Sequence, residues 1–133
     1  REALRLYPPV PMMVRETTCP ERFRDRDIRP GAQIVLSPWH LHRHERLWDA
    51  PDDFDPGRWQ TENGRICLRD AWIPFSSGPR VCTGAGFAMV EGPLILSMIL
   101  RNFRVEPVGE VPVPIAHLTV RSRDGIRLRL TRR

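Results

Sequence analysis

The sequence predicts a mixed α/β chain that is mainly irregular. Fourteen prolines and nine glycines break its 133 residues into short pieces. One stretch, Gly84 to Phe103, places Phe87, Val90, Leu94 and Met98 at the spacing of a buried helical face. Several short apolar runs bounded by turn residues read as strands. With 41% hydrophobic residues, the chain suits one compact unit or a piece of a larger one.

The elements follow in order. Arg1 to Tyr7 has a helical pattern with no N-cap and stops at Pro8-Pro9, as in a chain truncated at its N-terminus. Val10 to Arg15 and Gln33 to Leu36 read as extended, with Asp27-Ile28-Arg29-Pro30-Gly31 as the turn between strands. From Ser37 to Arg58 the chain reads as irregular, with at most one short helix near Glu45 to Trp48. The helix from Gly84 carries Gly92-Pro93, where proline removes a hydrogen bond and crowds the Met89 carbonyl, so a kink is expected. Phe103 to Val105, Leu118 to Arg121 and Ile126 to Leu130 read as strands, the last two joined by a hairpin turn at Arg123-Asp124-Gly125.

Composition narrows the function classes. All 21 basic residues are arginine, the pattern of GC-rich bacterial genomes, and they give a net charge of +5. Neither Arg22-Arg24-Arg26 nor Arg132-Arg133 forms a basic stripe with interleaved aromatics, so no nucleic acid is expected. No run of eighteen apolar residues and no leader pattern is present, and the segment reads as cytoplasmic with no membrane span. Three cysteines, Cys19, Cys67 and Cys82, with no C-x-x-C spacing suggest neither a disulfide framework nor a thiolate zinc site. His40, His42 and His44 alternate, but no acidic or cysteine partner stands at ligand spacing, which favours a structural role.

Phe75-Ser76-Ser77-Gly78-Pro79-Arg80-Val81-Cys82-Thr83-Gly84 is the most informative stretch. Cys82 lies between a glycine-rich loop and a helix start, where backbone N–H groups and the helix dipole stabilise a thiolate. Gly78 and Gly84 let the backbone turn and approach a flat ligand, and Arg80 offers a cation to a carboxylate. The stretch resembles the heme-binding signature F-x-x-G-x-R-x-C-x-G of the cytochrome P-450 family, with Ala88 also in place. The resemblance implies that Cys82 is the proximal iron ligand and the catalytic centre's thiolate. It further implies that Phe75 packs by the sulfur, that Arg80 binds a heme propionate, and that Gly78, Gly84 and Ala88 complete the cofactor contacts.

Other stretches extend the resemblance. Glu2 and Arg5 resemble the E-x-x-R motif of the family's K helix, and Phe54-Asp55-Pro56-Gly57-Arg58-Trp59 resembles its F-x-P-x-R-F motif. Glu2, Arg5 and Arg58 are then expected to form a buried network supporting the meander and cysteine loop. Arg15 stands where the family places another propionate-binding arginine. Val10, Met12 and Met13, with Pro11 and Val14, fall at a substrate-contacting segment, and Leu118-Thr119 near a second. The implied architecture for residues 1–133 is the C-terminal heme-binding part of the fold: K helix end, small sheet, meander, cysteine loop, L helix and terminal hairpin.

The implied function is that of a heme-thiolate monooxygenase holding heme b (iron protoporphyrin IX). It would activate O2 and insert one oxygen atom into a small, apolar organic substrate, with electrons from a ferredoxin or flavodoxin-type donor. Arg65 and Arg69, in a polar stretch, are expected to steer that donor. The family's oxygen-activating acid–alcohol pair has no counterpart here, so the segment alone is incomplete. Two rival readings use the same motifs: a non-catalytic truncated remnant and a peroxide-using heme-thiolate enzyme.

Overall fold

A computed structural model describes all 133 residues, which form two compact units, Arg1–Pro74 and Phe75–Arg133. In the first unit, α1 (Glu2–Leu6) ends at the Pro8-Pro9 break. Strand β1 (Met13–Glu16) starts later than the apolar run suggested. It pairs antiparallel with β4 (Gln33–Leu36) from Met13 opposite Leu36 to Glu16 opposite Gln33. Thr17 prolongs the ladder, and its hydroxyl donates to the Arg29 carbonyl at 2.7 Å. The stretch between the two strands is itself a hairpin, β2 (Glu21–Phe23) with β3 (Arg26–Ile28), so Asp27 and Ile28 are strand residues and not turn residues. Gly31, at φ 81°, takes the turn that follows.

The short helix expected near Glu45 to Trp48 lies earlier, as α2 (Pro38–Leu41). Ser37 caps it and Pro38 occupies its first turn, where a missing N–H costs nothing. A 3-10 turn at Pro56–Gln60 leads into α3 (Glu62–Asp70), an element the sequence reading left out. Thr61 caps α3 by accepting from the Gly64 amide. Trp48, Cys67 and Ala71 form the buried core, with Leu41, Leu47, Trp59 and Trp72 packed against it. Trp48, Trp59 and Trp72 stack edge to face at 5.7 and 6.0 Å.

Gly64 sets how closely α3 lies on the 3-10 turn. A Cβ there would fall 1.8 Å from the Arg58 carbonyl oxygen. Gly64→Ala should therefore destabilise the protein by about 3 kcal/mol despite alanine's better helix propensity, because backbone must move. Urea denaturation reads this directly, and a variant as stable as wild type would refute it.

The second unit carries the cysteine loop, then α4 (Ala85–Asn102), whose helical assignment continues through Gly92-Pro93. None of its residues is buried, although Val90, Leu94, Ile95, Leu96, Met98 and Ile99 cover it with apolar surface. No helix is long and apolar enough to cross a membrane. The strand pairing differs from the expected terminal hairpin. Strand β5 (Phe103–Pro107) pairs with β8 (Leu128–Arg132), while β6 (Pro114–Ala116) pairs with β7 (Val120–Ser122). Leu118 and Thr119 thus form the tip of the β6–β7 hairpin, and Gly125, at φ 80°, turns the chain between β7 and β8.

Candidate functional site

One candidate feature, within the first unit, is a buried charge network. Glu2, Arg5 and Arg58 are each at most 5% exposed. One turn of α1 places Glu2 and Arg5 on the same face, and Arg5 grips both carboxylate oxygens, Nε to Oε2 at 3.1 Å and Nη2 to Oε1 at 2.8 Å. Arg58 donates from Nε to the same Oε1 at 2.9 Å, and the Asp55 amide adds a third donor at 3.1 Å. Two cations share one anion, so backbone carbonyls take the remaining donors. Arg5 reaches His42, Pro51 and Asp53, and Arg58 reaches Asp49, Ala50 and Asp53. Burial raises the Glu2 carboxyl, but the hydrogen bonds from Arg5, Arg58 and the Asp55 amide outweigh it and hold the group below its ordinary value.

The other, within the second unit, is the cysteine loop. Ser76, at φ 65°, and Gly78, at φ 69°, turn the backbone through left-handed conformations. The 3-10 turn Gly78–Arg80 closes with Val81 N–H on the Gly78 carbonyl at 3.0 Å. The Cys82 amide then donates to the Phe75 carbonyl at 2.8 Å, bringing the two backbones together. Cys82 is an exposed free thiol just ahead of α4, where Gly84 takes the N-cap position and the Ala88 amide donates to its carbonyl at 2.9 Å. A Cβ on Gly84 would sit 3.8 Å from the Cys82 sulfur, an ordinary contact, and Gly78 and Gly86 face open space. Arg80 and Ala88 are exposed.

The remaining expected residues lie on separate elements. Arg15 is half-buried on β1, on the same face as Met13, and its guanidinium donates to the Val14 carbonyl at 3.0 Å. Val10 and Met12 are exposed ahead of that strand. These belong to the first unit, and Leu118 and Thr119 to the second. Leu118, 86% exposed, projects from its hairpin tip.

The three alternating histidines hold separate local structures, and the chain contains no cluster of metal-ligating side chains. His40 pairs with the Ser37 hydroxyl, and His44 accepts from the Arg46 amide. His42 is fully buried and joins backbone groups from two distant segments, a role that residue spacing did not reveal.

Against known proteins, the fold and the loop define a chain built like part of a heme-protein scaffold. The family profile described as "Cytochrome P450" matches residues 1–128. "Cytochrome P450 4A10" of Mus musculus is 41% identical over 98% of this chain and 26% of its own length. "Cytochrome P450 4A11" of Homo sapiens is 41% identical over 99% of this chain and 25% of its own. Among solved structures, the cytochrome P450DA heme domain superposes with a TM-score of 0.88 at 35% identity, covering 99% of this chain and 30% of that one. The chain belongs to the cytochrome P450 family. It spans about a quarter of the length of the relatives it matches.

Proposed function

We propose that residues 1–133 are the C-terminal heme-binding portion of a cytochrome P450 monooxygenase, with Cys82 as the axial thiolate. The observation that carries this reading is an exposed free thiol in a loop closed by the Cys82 amide on the Phe75 carbonyl, at the head of an 18-residue helix. The donor set fits heme b. The exposed Cys82 sulfur suits an iron ligand, the open faces of Gly78 and Gly86 admit a flat group, and Arg80 is available for a propionate. Arg15 is proposed for the second propionate. Bound there, a heme-thiolate supplies oxygen activation and the insertion of one oxygen atom into the substrate.

The chain's own residues hold and shield that group. Cys82 would supply its sulfur to the iron, and the Cys82 amide on the Phe75 carbonyl and the Ala85 amide on the Cys82 carbonyl hold its backbone in place. The Glu2–Arg5–Arg58 network fixes the carbonyls from Asp49 to Asp53. Val10, Met12, Met13, Leu118 and Thr119 are proposed substrate contacts, and their character favours a small apolar organic molecule. Three free thiols support a reducing cytoplasmic setting, and the all-arginine basic set supports a bacterial source. The reading is tested on the full-length holoprotein by the Soret band of its reduced, carbon monoxide-bound form. A thiolate-type band is expected, and its absence would overturn the assignment. Turnover with peroxide alone, and none with a reductase, would favour the peroxide-using alternative.

The electron donor is proposed to be an acidic ferredoxin or flavodoxin steered by Arg65. Arg69, paired through two hydrogen bonds with Asp70 at 2.6 and 2.7 Å, is neutralised locally. Arg65→Glu should slow the second-order rate of first-electron transfer about tenfold at low ionic strength, with the difference fading in salt. Arg69→Glu should have the smaller effect in stopped-flow reduction, and equal rates for wild type and Arg65→Glu would refute the steering role.

A further inference from the structure

The His42 ring joins two backbone segments that lie far apart in sequence. Its Nδ1 is 3.2 Å from the Arg5 carbonyl oxygen, 37 residues away, and its Nε2 is 2.9 Å from the Ile73 amide nitrogen, 31 residues away. A carbonyl can only accept and an amide N–H can only donate. The proton therefore sits on Nδ1, and Nε2 must be bare: the two partners permit one neutral tautomer. An imidazolium would place a second N–H against the Ile73 N–H and break that bond.

The surroundings keep the ring neutral. Burial is the first cause, and the cations of Arg5 and Arg43 add to it, together outweighing the hydrogen bond to the Arg5 carbonyl and lowering the pKa to about 4. The Arg5 guanidinium also donates to the His42 carbonyl at 2.8 Å, and its far side is held by Glu2. Trp48 meets the ring edge-on at 6.4 Å and carries no charge.

Ile73 occupies a particular place in the chain. After α3 ends at Asp70, the amides of Ala71 and Trp72 return to the Cys67 carbonyl at 2.9 and 2.8 Å. Pro74 has no N–H, so the Ile73 amide is the last backbone donor before Phe75, where the cysteine loop begins. A ring gripping that amide pins the chain two residues ahead of Phe75.

We propose that His42 is a positioning residue for the cysteine loop, a tautomer-locked imidazole that ties the Glu2–Arg5–Arg58 network to the stem at Ile73. The role rests on Cys82 being the heme ligand, whereas the link itself is measured without reference to heme. The experiment uses full-length holoprotein, following amide exchange in a peptide containing Ile73 together with the Soret band of the reduced carbon monoxide complex. His42→Phe keeps a ring but loses both bonds, and His42→Gln keeps one donor and one acceptor.

Exchange at the Ile73 peptide should be about tenfold faster in the Phe variant, the scale of one lost hydrogen bond, with part of the Soret band shifted to the thiol type. The Gln variant should restore both readouts in part. On acidification, wild-type protection at this peptide should fall as pH drops from the ordinary histidine value through about 4, where the folded ring takes a proton, and the Gln variant, which keeps Glu2 but has no imidazole, should show a smaller fall over that window. Unchanged exchange in the Phe variant, or a wild-type loss of protection on acidification no larger than the Gln variant's, would overturn the link. Faster exchange with an unchanged Soret band would overturn the positioning role. Should the Phe variant fail to fold, the comparison of wild type with Gln decides. A wild type without any thiolate-type band sinks the heme reading and the role with it, while the exchange arm still reports on the link.

Discussion

Cys82→Ala in the full-length holoprotein should remove the thiolate-type Soret band of the reduced carbon monoxide complex completely, whereas Cys67→Ala and Cys19→Ala should retain it. The three sulfurs differ in what surrounds them. Cys67 is 3% exposed within the tryptophan core and donates its S–H to the Leu47 carbonyl at 2.9 Å. Burial, with Asp49 and Asp70 nearby, pushes its thiol pKa up, so it stays protonated and serves as a small apolar side chain. Cys19 is exposed, its S–H donating to a Glu21 carboxylate oxygen at 3.4 Å, and it precedes a three-residue strand and no helix. Cys82 alone is an exposed sulfur in a closed loop immediately ahead of a long helix. A thiolate-type band that survives Cys82→Ala would sink the assignment.

Arg58→Ala should cost about 3 to 5 kcal/mol of stability and yield heme-poor protein, the magnitude for breaking a buried ion network. The substitution takes one donor from Glu2 and strands the carbonyls of Asp49 and Ala50. Arg58→Lys should not rescue it, because a lysine ammonium lacks the planar fork that serves carboxylate and carbonyls together. Urea midpoints and heme content check this, and wild-type values for both in Arg58→Ala would refute it. Acid should act on the same network. The Glu2 carboxyl lies below its ordinary value when folded, so its stabilising contribution is complete above the ordinary carboxylate range and is lost as pH falls through the lowered value.

Local patterns were legible in the sequence to different degrees. Helix α4 and strand β4 stood out because apolar spacing and turn residues are local signals. Helix α3 did not, because Gly64 weakens the helical pattern and the reason for it, close approach to the Arg58 carbonyl, lies outside the helix. The β5–β8 pairing escaped notice because β6 and β7 intervene, and strand content alone does not say which strands pair. The motif letters pointed to Glu2, Arg5 and Arg58 and the structure joins them, but the cage around them is made of backbone carbonyls, which leave no mark on residue identity. His42 was hidden for the same reason: both partners of its ring are main-chain atoms.

Helix α4 bears on how this polypeptide can be handled. Several of its apolar side chains, Leu94, Leu96 and Met98 among them, are more than half exposed, and a helix with so little polar surface is built for an interior. Produced as residues 1–133 alone, the chain would offer water a greasy rod. Its molecules would stick to one another, to column matrices and to chaperones. Monodisperse material then calls for a solubilising fusion or mild detergent, and a sedimentation profile that sharpens when detergent is added would trace the stickiness to that rod.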